Sequence, residues 1–328
     1  MGVVNTVLGP IKSNDLGLTM MHEHLIFGYP GYQGDVQYAE PEEVRILDKL
    51  CPIVEKLMQY GVRTIVDATP NDCGRWPQLY QRVSKMTGIN IICASGYYNE
   101  ELGGSAYFKL RALHHDAEEE IYELLKKETT TGIGRTGIKA GVVKLASGKD
   151  KISDYEKMFF KAAAKVQQEF HIPIITHTEE GKLGCEQLDF LLENGADANK
   201  VLIGHMCDDL CIQHHRYIMD KGAYVGFDRF SVQGFLGVKE NTDRFSLLKR
   251  LVDHGYADRI LFSQDFVMHQ LGREQRRDSH IVRMHAEFPC DCLFKKILPQ
   301  IKETGISEAV TNEILAKNPH RFLDTNFS

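Results

Sequence analysis

Residues able to bind a metal ion recur in this sequence where short apolar runs end. His22 and His24 flank Glu23 directly after one such run, and Asp265 follows another run far along the chain. Three other runs end in residues that could join them: Lys144, His177 and His205. Imidazole and carboxylate ligands together suit zinc, cobalt, manganese or iron. The pattern therefore predicts metal-dependent chemistry, such as the activation of water.

The pair His22 and His24 has two interpretations when it is taken alone. Two histidines this close are more commonly a packed pair or a surface pair than metal ligands. Residues two apart in a strand point to the same side, however, so both imidazoles could face one cavity. The residues that end the other strands favour the second interpretation.

Eight short apolar runs have the character of buried parallel strands. They cover residues 18–21, 64–68, 90–94, 141–145, 172–176, 201–204, 223–226 and 260–262. Stretches with helical spacing lie at residues 42–60, 76–87, 117–127, 155–170, 183–193, 211–221 and 242–254, with one or two more within 292–316. The last helix is expected to end before Asn318-Pro319, because proline disfavours helical geometry in the residue before it.

Eight strand–helix units in regular order predict an α/β fold, a (β/α)8 TIM barrel, as a single domain over residues 1–328. A doubly wound open sheet is the alternative, but such sheets usually have fewer strands. A long irregular loop is expected over residues 266–289, after the eighth strand. Active sites of these barrels gather at the carboxyl ends of the strands, so the metal-binding residues should share one cavity.

Five segments, TMMHEHL, GVVKLAS, IITHT, LIGHMCD and FSQD, resemble the metal-binding motifs of the phosphotriesterase family, within the amidohydrolase superfamily. The nearest branch is the phosphotriesterase-like lactonases. The resemblance runs from a short N-terminal hairpin to the closing NPHRFL, which is almost the whole chain. The combined motifs are highly specific, although any one of them alone would be weak.

The resemblance implies a binuclear metal site with three ligands to a buried ion: His22, His24 and Asp265. His177 and His205 would hold a second, more exposed ion. Lys144, carboxylated by carbon dioxide, would bridge both ions together with a hydroxide. Zinc is the expected metal, and cobalt, manganese or iron would suit the same ligands.

Lys144 also has an ordinary interpretation, because a lysine at a strand end is usually a solvated charge. Beside two cations, a buried ammonium would be repelled and its pKa lowered. The neutral amine could then form a carbamate, which is an anion that two metal ions would hold in place. A mononuclear deaminase, by contrast, would have no use for this lysine.

The same resemblance suggests two catalytic carboxylates. Asp265 would ligate a metal ion and take a proton from the attacking hydroxide. Asp208 follows His205 by three residues, which matches the family position that relays this proton outward. From local sequence alone, a helix N-cap is an equally good interpretation of Asp208.

Substrate contacts are expected from Tyr98 and Arg229, which match positions of the lactonase-like branch. In that branch a tyrosine after strand three and an arginine in a DRF or DRY segment face the metals. Tyr97 is the alternative register for the tyrosine. The structural alternatives are an aromatic side chain packed at the barrel rim and a surface cation.

The function implied is hydrolysis of a lactone by the metal-bridging hydroxide, with organophosphate triester hydrolysis as a side activity. The alternative is hydrolysis of another carboxylic ester or an amide, including an anionic one. This alternative would use the same metal site, and an anionic substrate is suggested by the basic residues of the 266–289 loop: His269, Arg273, Arg276, Arg277, His280, Arg283 and His285. They are a solvated loop face, a subunit contact, or a grip on an acidic substrate group.

Composition excludes several other classes of protein. The formal net charge of −6 leaves no basic field for nucleic acid or a membrane surface, so the partner expected is a small-molecule substrate. The N-terminus lacks a signal peptide pattern, and eight dispersed cysteines are expected to be reduced thiols. These features predict a cytoplasmic protein, and we expect a homodimer.

Overall fold

The computed structural model describes residues 2–38, 42–233 and 238–325. The chain opens with an antiparallel hairpin of β1 (Val3–Thr6) and β2 (Gly9–Lys12). Eight parallel strands then pair with one another in chain order. They are β3 (Leu18–Glu23), β4 (Val62–Asp67), β5 (Asn90–Gly96), β6 (Val142–Ala146), β7 (Ile174–His177), β8 (Val201–Ile203), β9 (Tyr224–Phe227) and β10 (Ile260–Phe262).

Helices connect these strands and cover the outside of the sheet. They are α1 (Glu43–Met58), α2 (Pro77–Thr87), α3 (Ala106–Ala112), α4 (Ala117–Thr130), α5 (Asp154–Phe170), α6 (Gly184–Glu193), α7 (Ile212–Asp220), α8 (Asn241–Asp253), α9 (His280–Glu287), α10 (Leu298–Glu303), α11 (Glu308–Asn312) and α12 (Asn318–Leu323). Two π-helical turns, Leu293–Ile297 and Glu313–Lys317, run directly into α10 and α12. None of the described helices is long and apolar enough to cross a membrane.

The predicted (β/α)8 barrel with its hairpin is confirmed, and its interior is filled as such barrels require. Each of the eight strands contributes at least one buried apolar side chain to a single inner cluster, whose strand members are Met21, Val66, Ile92, Ala94, Val142, Ile175, Leu202, Tyr224 and Leu261. A second, larger cluster packs the outer face of the sheet against the helices. Because side chains alternate along a strand, residues two or four positions beyond an inner one also face inward.

The first and last strands meet at their carboxyl ends, which nearly closes the barrel. Asp265 N donates to the His22 carbonyl at 3.1 Å, and His24 N donates to the Phe266 carbonyl at 3.1 Å. The buried carboxylate of Glu23 accepts hydrogen bonds from Ser263 Oγ and from the main-chain N–H groups of Gln264 and Phe266. The seam between the strands therefore lies where the candidate metal ligands are.

Two expectations about helices are wrong. The 266–289 segment is not irregular throughout, because α9 forms within it, with the Ser279 side chain accepting from Val282 N at the helix start. The last helix does not end before Asn318-Pro319, since Asn318 itself is helical. Its side chain donates to the carbonyls of Ala257 and Ile260, and this tertiary anchoring outweighs the local preference.

Candidate metal centre and active site

All six predicted metal-binding residues lie at the carboxyl end of the barrel. His22 and Lys144 belong to β3 and β6, and His177 ends β7. His24, His205 and Asp265 lie one, two and three residues beyond the ends of β3, β8 and β10. The four histidines and Lys144 are buried, and Asp265 is nearly so. Five of the six line one cavity, and the fully buried His205 lies next to them, with Nε2 3.0 Å from His177 Nδ1.

His22, His24 and Asp265 form one group of three possible ligands. His24 Nε2 lies 3.2 Å from Asp265 Oδ1, and His22 Nε2 lies 3.8 Å from the same oxygen. Thr69 Oγ1 donates to the Ile26 carbonyl, so it must accept from His24 Nδ1, which lies 2.8 Å away. His24 Nε2 then carries a lone pair that faces a carboxylate, an arrangement that a cation between the two would stabilise.

His177 and His205 form a second pair of side chains whose facing atoms a cation would stabilise. His177 Nδ1 lies 3.0 Å from His205 Nε2. The other nitrogen of each ring is next to a carboxylate: His177 Nε2 donates to Glu179 at 3.0 Å, and His205 Nδ1 donates to Asp228 at 2.9 Å. The two facing nitrogens are therefore both acceptors, and burial lowers the pKa of each ring. This donor set fits a second divalent cation.

Lys144 lies between these elements, with its Nζ 2.9 Å from His22 Nε2. Burial lowers the pKa of Lys144 to about 8, which outweighs the opposite effect of Asp265 and Asp228. About a tenth of the amine is thus neutral at pH 7, compared with far less for an exposed lysine. The neighbouring strand also comes very close, because a Cβ on Gly96 would lie 1.8 Å from the Lys144 carbonyl oxygen.

Two of the candidate ligands have strained backbones. His205 and Asp265 have φ angles of 60° and 54°, in the left-handed region that favours glycine. Such a conformation costs about 1 kcal/mol or more for a residue with a side chain, and it clusters at functional sites. The strain places both side chains over the end of the barrel instead of along the strand direction.

Asp228 is a site residue that the sequence reasoning missed. Its carboxylate accepts from His205 Nδ1 and from His205 N, and its Oδ2 lies 3.5 Å from His22 Nδ1. His22, His205 and Asp228 also form a group that could hold a metal ion. Asp228 faces the Nδ1 atom of both rings, however, whereas Lys144 and His177 lie next to their Nε2 atoms, so its contacts favour a role in orienting the rings. The signal was available, because Asp228 is four positions beyond the inward-facing Tyr224.

Arg229 connects the two predicted catalytic carboxylates. Its Nε donates to Asp265 Oδ2 at 3.0 Å, and its Nη1 lies 3.4 Å from Asp208 Oδ2. Asp208 is itself held by the buried Arg244 at 2.6 Å. Asp208 ends a short turn and its side chain caps no helix, so the N-cap interpretation is wrong. Its contacts favour a role in positioning Arg229, and the proton relay stays a prediction.

Tyr98, and not Tyr97, lines the cavity above the metal-binding residues. The Tyr98 ring packs edge-on against His177 with centroids 5.1 Å apart. Tyr97 packs instead against Phe108 and Phe159, outside the cavity. Of the two tyrosines considered from the sequence, the favoured one, Tyr98, therefore lines the pocket.

The cavity over the donor set has a volume of about 200 Å³ and mostly apolar walls. Eight apolar side chains line it: Phe27, Leu102, Val232, Val238, Val267, Ile281, Met284 and Pro70. α9 contributes Ile281 and Met284, so the segment after β10 presents apolar groups to the pocket.

The proposed arginine grip on an acidic substrate is wrong for this cavity. Arg273 pairs with Asp35 and Arg276 with Asp278, and both arginines are exposed. Neither they nor Arg277 and Arg283 line the pocket, where His285 is the only one of the seven basic residues.

Fold and donor set together define a class of protein, a (β/α)8 barrel enzyme with a candidate metal centre at the carboxyl ends of its strands. Comparison with known proteins then gives the family. A model of the phosphotriesterase family matches residues 2–323. This chain therefore belongs to the phosphotriesterase family, and it is a hydrolase.

Three similar proteins indicate the range of this family. An aryldialkylphosphatase from Saccharolobus solfataricus is 33% identical over 315 residues, covering 95% of this chain and 96% of that protein. The organophosphorus hydrolase from Deinococcus radiodurans has a TM-score of 0.95 at 42% identity, covering 98% of this chain and 96% of that one. A structure described as organophosphate hydrolysis activity engineered from a weak promiscuous lactonase template has a TM-score of 0.95 at 41% identity, covering 98% and 99%.

Proposed function

We propose that this protein hydrolyses lactones, with slower hydrolysis of organophosphate triesters. His22, His24 and Asp265 would hold one divalent cation, and His177 with His205 a second. Lys144 would bridge them as its carbamate. Zinc is the expected metal, and cobalt, manganese or iron would suit the same ligand types.

The observation that carries this proposal is the apolar cavity directly over the donor set. Its mostly apolar walls suit a neutral ring with an attached aliphatic chain. Similarity to the lactonase template supports the same substrate class. Similarity to organophosphate-hydrolysing relatives supports the side activity, because a phosphotriester is tetrahedral like the intermediate of lactone opening.

The chemistry divides between the metals and the chain. Two bound cations would acidify a water molecule and polarise the carbonyl oxygen of the substrate. Burial alone would raise the pKa of Asp265, but His205, His24 and Arg229 hold it well below its usual range. Asp265 is therefore ionised at neutral pH and able to accept the proton of the attacking water.

Arg229 and Tyr98 would shape the substrate side of the site. Arg229 fixes one carboxylate oxygen of Asp265 while its guanidinium lines the cavity. Tyr98 closes the side of the cavity next to His177, which limits how the substrate ring can lie. Together they would orient the carbonyl group toward Asp265, a positioning effect that accelerates reaction without a change in chemistry.

Steady-state kinetics on matched substrates test the proposal. Purified protein loaded with zinc would be assayed on a δ-lactone with an alkyl side chain, the open-chain methyl ester, the corresponding amide and an aryl dialkyl phosphate. We expect kcat/KM to be highest for the lactone, measurable for the phosphate, and lost with chelator. A kcat/KM for the amide or the open ester above that for the lactone would assign the site to the alternative substrate class.

A further inference from the structure

A second cavity, of about 480 Å³, adjoins the active site between α1 and α9. Four side chains line both cavities and so form the partition between them: Val267, Gln270, Ile281 and His285. A ligand in the second cavity would therefore contact the wall of the active site. Nothing in the proposed hydrolytic chemistry uses this space.

The charge in this cavity is unbalanced. Arg45 and Lys49 line it from successive turns of α1, whereas Glu274 is the only carboxylate among its lining residues. Arg45 Nη2 donates to Glu274 at 2.6 Å, and no carboxylate of the described residues lies within ion-pair distance of Lys49. All three charged side chains are exposed to solvent, so the rim of the cavity carries one more formal cation than anion.

The same excess of positive charge affects the pKa of His269. It lines the cavity, and its buried Nδ1 has no hydrogen-bond partner among the described residues. Burial, with added repulsion from Lys49 and Arg45, lowers the pKa of His269 to about 4. The ring is thus neutral at pH 7 and available as a hydrogen-bond partner beside the two cations.

The remaining walls are apolar and include Ile53, Phe266, Met268 and Val282. An apolar groove with one excess cation at its exposed rim complements a monoanion carried on an aliphatic chain. We infer that this cavity binds an aliphatic carboxylate, held by Lys49 and Arg45, beside the wall of the active site. The carboxylate would be either the acidic end of a substrate chain or a free fatty acid.

Binding of octanoate to the zinc-loaded protein tests this inference, with octanamide as the neutral ligand of equal length. Isothermal titration calorimetry would compare the unaltered protein with Lys49→Glu and with Lys85→Glu. Lys85 is an exposed lysine on α2 outside both cavities, so the control carries the same change in net charge. We expect Lys49→Glu to weaken octanoate binding by about tenfold, with octanamide binding unchanged.

The Lys85→Glu control also distinguishes octanoate binding in this cavity from octanoate binding at the metal centre. Octanoate that binds only at the metal centre would respond equally to both substitutions. Equal octanoate affinity in Lys49→Glu and Lys85→Glu would overturn the inference, as would octanamide binding as tightly as octanoate to the unaltered protein.

A kinetic comparison identifies the source of the carboxylate, and only this part rests on the proposed function. Two lactones would be compared whose side chains end in a carboxylate or in a methyl group. A preference for the acidic lactone that falls in Lys49→Glu, but not in Lys85→Glu, assigns the carboxylate to the substrate. Equal kcat/KM for the two lactones, with octanoate bound, assigns it to a free fatty acid.

Discussion

Asp228 and His205 are joined by two hydrogen bonds, one from the ring Nδ1 and one from the main-chain N–H, both to Oδ1 at 2.9 Å. The other carboxylate oxygen faces His22. Burial alone would raise the pKa of Asp228, but His205 and His22 hold it below its usual range. One ionised side chain thereby orients a ligand from each of the two proposed metal sites.

Replacing the Asp228 carboxylate by its amide should lower the metal affinity while leaving the proposed metal ligands unchanged. We expect Asp228→Asn to lower metal affinity by about 10- to 100-fold, as for other carboxylates that orient metal-binding histidines. Metal content after dialysis against a buffered chelator would measure it, starting from about two ions per chain in the unaltered protein. Asp258→Asn, an exposed carboxylate near the barrel's other end, is the control. Unchanged affinity in Asp228→Asn would contradict the role assigned here.

Lys144→Ala should abolish activity, because no carbamate could then form between the two cations. We expect a fall in kcat/KM of about 1000-fold or more. Acetate or propionate should partly restore activity by occupying the space left by the side chain. Lys144→Met provides the matched control, because its side chain fills that space and should prevent rescue. Full turnover by Lys144→Ala without added acid would rule out the bridging role.

Arg229→Ala should impair catalysis while leaving the metals in place. The guanidinium contacts Asp265 and lines the cavity, but arginine is not a metal ligand. We expect kcat/KM for lactones to fall by about 10- to 1000-fold, which corresponds to one lost transition-state contact. Arg229→Lys keeps the charge but cannot span both Asp265 and Asp208, so it should recover only part of the loss. Metal analysis is the deciding measurement, since loss of an ion would show that Arg229 acts through the ligands.

Lys200 should make stability depend on pH. It is buried and donates to the carbonyls of Arg321 and Phe322, and burial lowers its pKa to about 7. Between pH 7 and its ordinary pKa, the unfolded chain binds more protons than the folded one, so the free energy of unfolding rises with pH. Relative to Lys200→Met, the unaltered protein should gain roughly 2 kcal/mol between pH 7 and pH 9. Urea denaturation of both proteins at the two pH values measures this difference, and parallel pH dependence would argue against it.

The strand order could be predicted, and the six predicted metal ligands could be placed near the carboxyl ends of strands, because both depend largely on local pattern. Buried parallel strands are continuous apolar runs, and Lys144 and His177 lie two positions beyond the inward-facing Val142 and Ile175. The strained conformations of His205 and Asp265 could not be predicted, since they depend on contacts across the end of the barrel.

The helices that were missed lack a clear core-facing pattern. In α3 only Phe108 is buried, while Tyr107 and Leu110 are exposed. In α9 no residue is fully buried, because Ile281 and Met284 face the cavity instead of the core. A helix of this kind buries little surface on the sheet, so hydrophobic periodicity gives a weak signal for it.

The contacts between the first and last strands also determine at what stage of synthesis and folding the proposed metal centre can form. Glu23 and Phe266, which hydrogen-bond across that seam, are 243 positions apart in the sequence. During synthesis, His22 and His24 leave the ribosome long before Asp265 does, so this group of three possible ligands is incomplete until the residues after β10 have emerged. Pairing over such a separation is also slow, because the loop-closure entropy must be overcome first. The proposed site that includes Asp265 therefore forms only at the end of biosynthesis, and a chain cut short before residue 265 would carry five of the six proposed ligands but lack the carboxylate of that site.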